Sequence, residues 1–183
     1  MSHTPNYVTN QNLHVENLLN RLKSGDTPVI EFIDIWGEGF LSEDNIITGF
    51  KNSYNINKEA QLVSNPPDMG REIPNLIPVK IWESNFCIIP SGKVNILTLM
   101  GAPITETCAS EIARMISSDG NIIIYGFNSD DTELIRLEKK LKKIDFIQVS
   151  KYELAKEFTD ITIKPVIIFT KQSNLNPIIS DDP

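Results

Sequence analysis

Residues 94–127 read VNILTLMGAPITETCASEIARMISSDGNIIIYGF, and this stretch decides the fold class. Val94-Asn95-Ile96-Leu97-Thr98-Leu99-Met100 is a near-continuous β-type run, as expected of a strand buried on both faces of a parallel sheet. Gly101-Ala102-Pro103 ends it. Thr105 suits a helix N-cap, and Ala109, Ile112, Ala113 and Ile116 recur at helical spacing, which predicts a helix ending before Asp119-Gly120. Residues 121–127, centred on Ile122-Ile123-Ile124, predict the next strand. Strand, glycine turn, helix and strand in this order make a βαβ unit.

Working outward, Asp130 or Asp131 caps a predicted helix over 132–143, with Leu134, Leu137, Leu141 and Ile144 inward and lysines outward. The lysines Lys139, Lys140, Lys142 and Lys143 have Glu138 among them and read as a solvated face. Residues 146–150 and 162–171 supply two final strands. Towards the N-terminus, Leu13, Val15, Leu18, Leu19 and Leu22 form an amphipathic helix stopped at Ser24-Gly25-Asp26. Residues 28–35 are a buried strand ending at Trp36-Gly37-Glu38-Gly39, and Ser42, Ile46, Ile47 and Phe50 predict a helix after it. A short second strand is expected at 60–63, before Pro66-Pro67 forbids a regular element. Residues 71–90 carry no clear pattern. The expected architecture is α/β, a three-layer sandwich with a mostly parallel, Rossmann-like sheet. It forms a single domain over 13–171 between tails at 1–12 and 172–183.

Composition narrows the function classes. The 183 residues carry 17 basic and 24 acidic side chains, a formal charge of −7. Such a balance gives no support to general nucleic-acid binding and points, if anywhere, to a basic protein partner. Cys87 and Cys108 form neither a CxxC pair nor a disulfide framework, and no metal site is expected. No 18-residue apolar run and no secretory leader pattern are present, so a cytoplasmic protein with no membrane span is expected. His3 and His14, the only imidazoles, read as surface or cap residues rather than as a general base.

Open parallel sheets bind ligands beyond the carboxyl ends of their strands, where the strand order reverses. The loops to watch are therefore 36–39, 65–70 and 101–103. Gly37 and Gly39 form a GxG after Asp34, which would allow a ligand to approach the backbone, although by itself the GxG reads first as a tight strand-to-helix turn. Trp36 in that loop either stacks on an adenine or substrate ring or plugs the pocket.

The ordered set LKSGD, VIEFIDIWGEG, VNILTLMGAP, EIARMISSDGNIIIYGF and KPVIIFTK resembles the class I S-adenosylmethionine-dependent methyltransferases over most of residues 13–171. The resemblance implies S-adenosylmethionine as cofactor. It implies a cofactor site at Asp34, Trp36, Gly37, Gly39, Leu99, Met100 and Gly101, with Ala102 and Pro103 at the methyl acceptor. Four features depart from the family pattern. Trp36 stands in a loop that usually has three glycines, Asn95 replaces a common Asp, and Gly101-Ala102-Pro103 lacks an amide or carboxylate. No residue clearly matches the acid that ends the family's second strand, Glu59 and Asp68 being the nearest. A second implied reading is a non-catalytic binding module on the same scaffold, such as an acidic immunity or regulatory protein, or an effector domain of a bacterial toxin system.

Overall fold

The structure is a computed structural model that describes residues 7–38, 52–58, 61–64, 69–79, 86, 88–100, 102–128, 130–152 and 166–175. The described elements are α1 (Tyr7–Lys23), β1 (Ile30–Ile35), β2 (Ser53–Lys58), β3 (Leu76–Val79), β4 (Val94–Met100), α2 (Glu106–Met115), β5 (Ile116–Tyr125), α3 (Thr132–Lys142), β6 (Phe146–Tyr152) and β7 (Val166–Lys171). A short 3-10 turn, Gln172–Leu175, follows β7. Seven strands form one sheet in the order β3-β2-β1-β4-β5-β7-β6. The first five run parallel, and β7 runs antiparallel between β5 and β6. Strand order reverses between β1 and β4, where the chain turns from building one half of the sheet to building the other.

Strand alternation divides this sheet into two unlike faces. On one face Ile33, Ile35, Leu97, Leu99, Ile122 and Ile124 are buried in a single cluster with Ala109, Ile112 and Met115 of α2 and Leu134, Leu137 and Leu141 of α3. Each such Leu, Ile or Met side chain contributes about 1.5–3 kcal/mol by leaving water. The opposite face carries buried polar groups, Asp34 on β1, Ser53, Asn55 and Asn57 on β2 and Thr98 on β4. Register places Asp34 opposite both Asn55 and Thr98.

The central strands and helices lie where the sequence predicts them, and the differences have physical causes. Helix α1 begins at Tyr7, inside the segment expected to be a tail, because polar residues such as Asn10 and Gln11 show no apolar period to read yet can still extend a helix anchored by Val15 and Leu18. The second strand is β2 at Ser53–Lys58, not 60–63, where Leu62 makes only an isolated bridge to Glu72. Helix α2 ends at Met115, its last carbonyls taken by the N–H groups of Gly92 and Lys93, and β5 starts at once with Ile116. The expected turn survives as an irregularity within β5, since the step Val94 to Ile96 is matched by Ile116 to Asn121. Gly120 passes so close to the Val94 and Asn95 carbonyls that a Cβ would collide with them. Strand β6 runs on to Tyr152, and the predicted helix at 42–50 lies outside the described residues. Asp131 is the N-cap of α3, but its carboxylate accepts from Asn128 N at 2.7 Å rather than from the helix.

Candidate functional site

The carboxyl end of β1 holds the first group of predicted site residues. Asp34 is 3% exposed, and its Oδ1 accepts a 2.6 Å hydrogen bond from the Thr98 hydroxyl. Burial pushes its carboxyl up to about 6, while the Thr98 bond pulls the other way. Two residues on, Trp36 adopts a left-handed backbone conformation, φ 59°, which costs a residue with a Cβ roughly 1–2 kcal/mol. Its side chain offsets that strain. The indole lies edge-on to Phe86 with ring centroids 5.8 Å apart and packs against the buried core. An edge-on aromatic pair is worth about 0.5–1.5 kcal/mol beyond its buried area.

The left-handed turn sends the chain back over the carboxyl. A Cβ on Gly37 would fall against Asp34 Oδ2 and Asn55 Oδ1, so no side chain fits there. The loop is also held from β2, because Trp36 N donates to Ile56 O at 2.7 Å and Asn57 Nδ2 donates to Gly37 O at 3.0 Å. The Glu38 carboxylate accepts from Ser64 N at 2.9 Å and from its hydroxyl at 2.8 Å. The Trp36 ring is partly buried, packed against the core beside Phe86.

The second group lies at the carboxyl end of β4 and beyond β5. Leu99 is fully buried, its side chain in the core on the apolar face of the sheet. Met100, the next residue, is 49% exposed. Ala102 and Pro103 line a cleft of about 370 Å³ together with Gly126 and Phe127 after β5 and Asp131, Thr132 and Glu133 at the start of α3. That size lies within the range of small-molecule sites, roughly 300–1,000 Å³. Glu133 Oε2 accepts from Ile104 N at 3.2 Å, and the ion pair between Lys140 and Glu106 joins α3 to α2 beside the cleft. Gly39 and Gly101 lie outside the described residues.

The structure thus brings Asp34, Trp36 and Gly37 to one strand end and places Met100 at the end of the neighbouring strand, with Ala102 and Pro103 beyond it. Asn55, Asn57, Thr98 and Phe127 complete these two groups and were not singled out from sequence. The clue to the asparagines was the strict alternation of polar Ser53, Asn55 and Asn57 with apolar Tyr54 and Ile56. Burial pushes the Cys108 thiol up to about 12, which makes it an unreactive core residue. His14 stacks flat on Tyr54 at 5.0 Å, away from both groups. Among the described residues no cluster of His, Cys, Asp or Glu could hold a metal ion, and no helix is long and apolar enough to cross a membrane.

No family model and no curated protein sequence matches the chain. Solved structures do. An rRNA methylase from Streptococcus thermophilus superposes with a TM-score of 0.53 at 13% identity, over 93% of this chain and 99% of that one. Magnesium protoporphyrin IX methyltransferase from Synechocystis PCC 6803, with bound S-adenosylmethionine, gives 0.52 at 11% identity, over 93% and 86%. The chain has the class I methyltransferase fold. A third methyltransferase-fold neighbour, the 1,6-didemethyltoxoflavin N1-methyltransferase of Burkholderia thailandensis, gives 0.51 at 12% identity over 90% and 80%. At these identities the likeness is one of fold, and the three neighbours are described by unlike acceptors.

Proposed function

We propose that this chain binds S-adenosylmethionine across the carboxyl ends of β1 and β4 and offers the cleft beyond β4 and β5 to a methyl acceptor. The observation that carries this reading is the reversal of strand order between β1 and β4, which sets the end of β1 beside the end of β4, with an open cleft lined by Ala102 and Pro103 past β4. Asp34, Trp36, Gly37, Gly39, Met100 and Gly101 would hold the cofactor, with Leu99 contributing backbone alone, and Ala102 and Pro103 would face the acceptor. The chemistry of the edge suits a cationic amino acid derivative. Above about 6, where Asp34 is ionised, its carboxylate and the unpartnered Asn55 Oδ1 beside it form a pair of acceptors for such a group.

When bound, the cofactor supplies a methyl group already activated on a sulfonium. The work left to this chain is alignment and exclusion of water, which need no nucleophile or strong base. Pro103 and Phe127 give the cleft apolar walls, while Asp131 and Glu133 are its carboxylates. Calorimetric titration with S-adenosylmethionine and S-adenosylhomocysteine tests the reading, and saturable heat at micromolar to millimolar ligand is the expected result.

A second reading is favoured by the packed indole of Trp36 in a loop where the family carries glycine. The scaffold would then serve as an acidic binding module for a basic protein partner, in the manner of an immunity or regulatory protein. An absence of heat with both ligands at millimolar concentration would leave this reading standing and remove the first.

A further inference from the structure

Asn55 is completely buried, and its own donor fixes how its amide points. Nδ2 gives its hydrogen bond to Pro74 O at 2.7 Å, which turns Oδ1 away from that carbonyl. Among the described residues nothing donates to Oδ1. Its neighbour across the β1–β2 register is Asp34, whose Oδ1 takes the Thr98 hydroxyl and whose Oδ2 flanks, with Asn55 Oδ1, the point beneath the Gly37 backbone. Two acceptor oxygens, the partnerless Asn55 Oδ1 and Asp34 Oδ2, thus flank one spot beneath Gly37. Flipping the Asn55 amide moves the conflict without curing it, because Oδ1 would then face Pro74 O. A hydrogen on Asp34 Oδ2 satisfies every group at once.

We propose that Asp34 is a carboxylic acid when the Trp36–Glu38 loop is closed, donating Oδ2–H to Asn55 Oδ1, and that Asn55 is the positioning residue through which this one proton holds the loop down. Loss of the proton leaves two facing acceptors under Gly37 and loosens the loop. The elevated carboxyl of Asp34 places the transition near pH 6, at about 6. The titratable and charged groups on surrounding elements do not compete for this role. Tyr125 on β5 lies within electrostatic reach of Asp34, Lys58 is exposed at the end of β2, and Glu38 turns its carboxylate to Ser64. On β4 the facing group is the neutral Thr98. Which ligand the edge takes does not enter this inference.

The test is a carbon-detected NMR titration of the aspartate-labelled chain from pH 4 to 8, with Asp34→Asn to assign the resonance. Asp34 is expected to titrate near pH 6, and a midpoint in the ordinary range near ~4 overturns the proposal. Asn55→Ala supplies the sign. Removing an acceptor of the protonated acid lowers the midpoint, whereas an Asn55 that donated to the carboxylate would, on removal, raise it and refute the assignment. Should Asn55→Ala not fold, amide exchange decides the matter. After correction for intrinsic exchange, protection of the Trp36 amide is expected to fall above the midpoint in the native chain and to stay level in Asp34→Asn, whose Nδ2 is a donor at every pH. An equal fall in both chains overturns the proposal.

Discussion

The carboxyl ends of β1 and β4 are neighbours, with Ile35 opposite Leu99 in register, yet one is shut and the other open. Beyond β1 the chain doubles back at once: Trp36 takes the left-handed conformation, Gly37 lies against Asp34, and Asn57 and Ser64 tie the loop down. Beyond β4 Pro103 locks its own φ and biases Ala102 towards an extended backbone. Met100 at the end of β4 is half exposed, and Ala102 and Pro103 line a cleft of about 370 Å³. Two parallel strands with alike apolar sequences thus end in opposite ways. The residues that follow each strand, more than the strand itself, set whether its end is shut or open.

The largest break in this contrast comes from Gly37→Val. Its branched side chain enters the space of Asp34 Oδ2 and Asn55 Oδ1, two groups fixed by Thr98 and Pro74 and unable to retreat. Overpacking of this kind typically costs 1–3 kcal/mol, and loss of the Asn57 bond to Gly37 adds to it, so a destabilisation of about 3 kcal/mol or more is expected in urea unfolding. A change below about 0.5 kcal/mol would show that the loop is not clamped as described.

The same two strand ends show what sequence reading reaches. Strand β4 was legible because both of its faces are apolar enough to give a continuous run, and α2 and α3 because their buried residues keep helical spacing. Strand β2 was not. Its sequence SYNINK buries Ser53, Asn55 and Asn57 on one face, and buried polar residues imitate a loop unless the alternation itself is read. Strand β3, with Pro78 in four residues at the sheet edge, resembled a connector. Asp34, Trp36 and Gly37 could be named from their place after a strand, but the groups that close over them come from β2 and β4, contacts made only in three dimensions.

The next effect in size concerns the proton at the closed end. In the unfolded chain Asp34 ionises around 3.8, whereas in the folded chain it does so at about 6. Below the lower value both states hold the proton. Between the two values the unfolded state alone gives it up, so stability falls as pH rises and the loss is complete above about 6. The interval corresponds to about 3 kcal/mol, with little solvent screening because the group is 3% exposed. Other carboxylates titrate with the opposite sign, so the quantity to measure is the stability of the native chain minus that of Asp34→Asn. It is expected to decline between pH 4 and 7, and a level difference would mean that the closed end holds no proton.

The smallest effect on stability, and the sharpest separation of the two ends, is expected from Ala102→Trp. Ala102 is a half-buried wall of the cleft, so an indole there extends into open space and displaces no packed neighbour. Unfolding is expected to shift by no more than about 0.5 kcal/mol. The binding readout is where the two ends part. If S-adenosylhomocysteine sits at the β1 and β4 edge, Ala102→Trp keeps its calorimetric heat while a folded Gly37→Val loses it, because only the latter deforms the loop around Asp34. The reverse pattern, with heat lost in Ala102→Trp and kept in Gly37→Val, would move the ligand into the cleft. Loss in both variants would mean that the shut end and the open end form one continuous pocket, with Met100 as the floor between them.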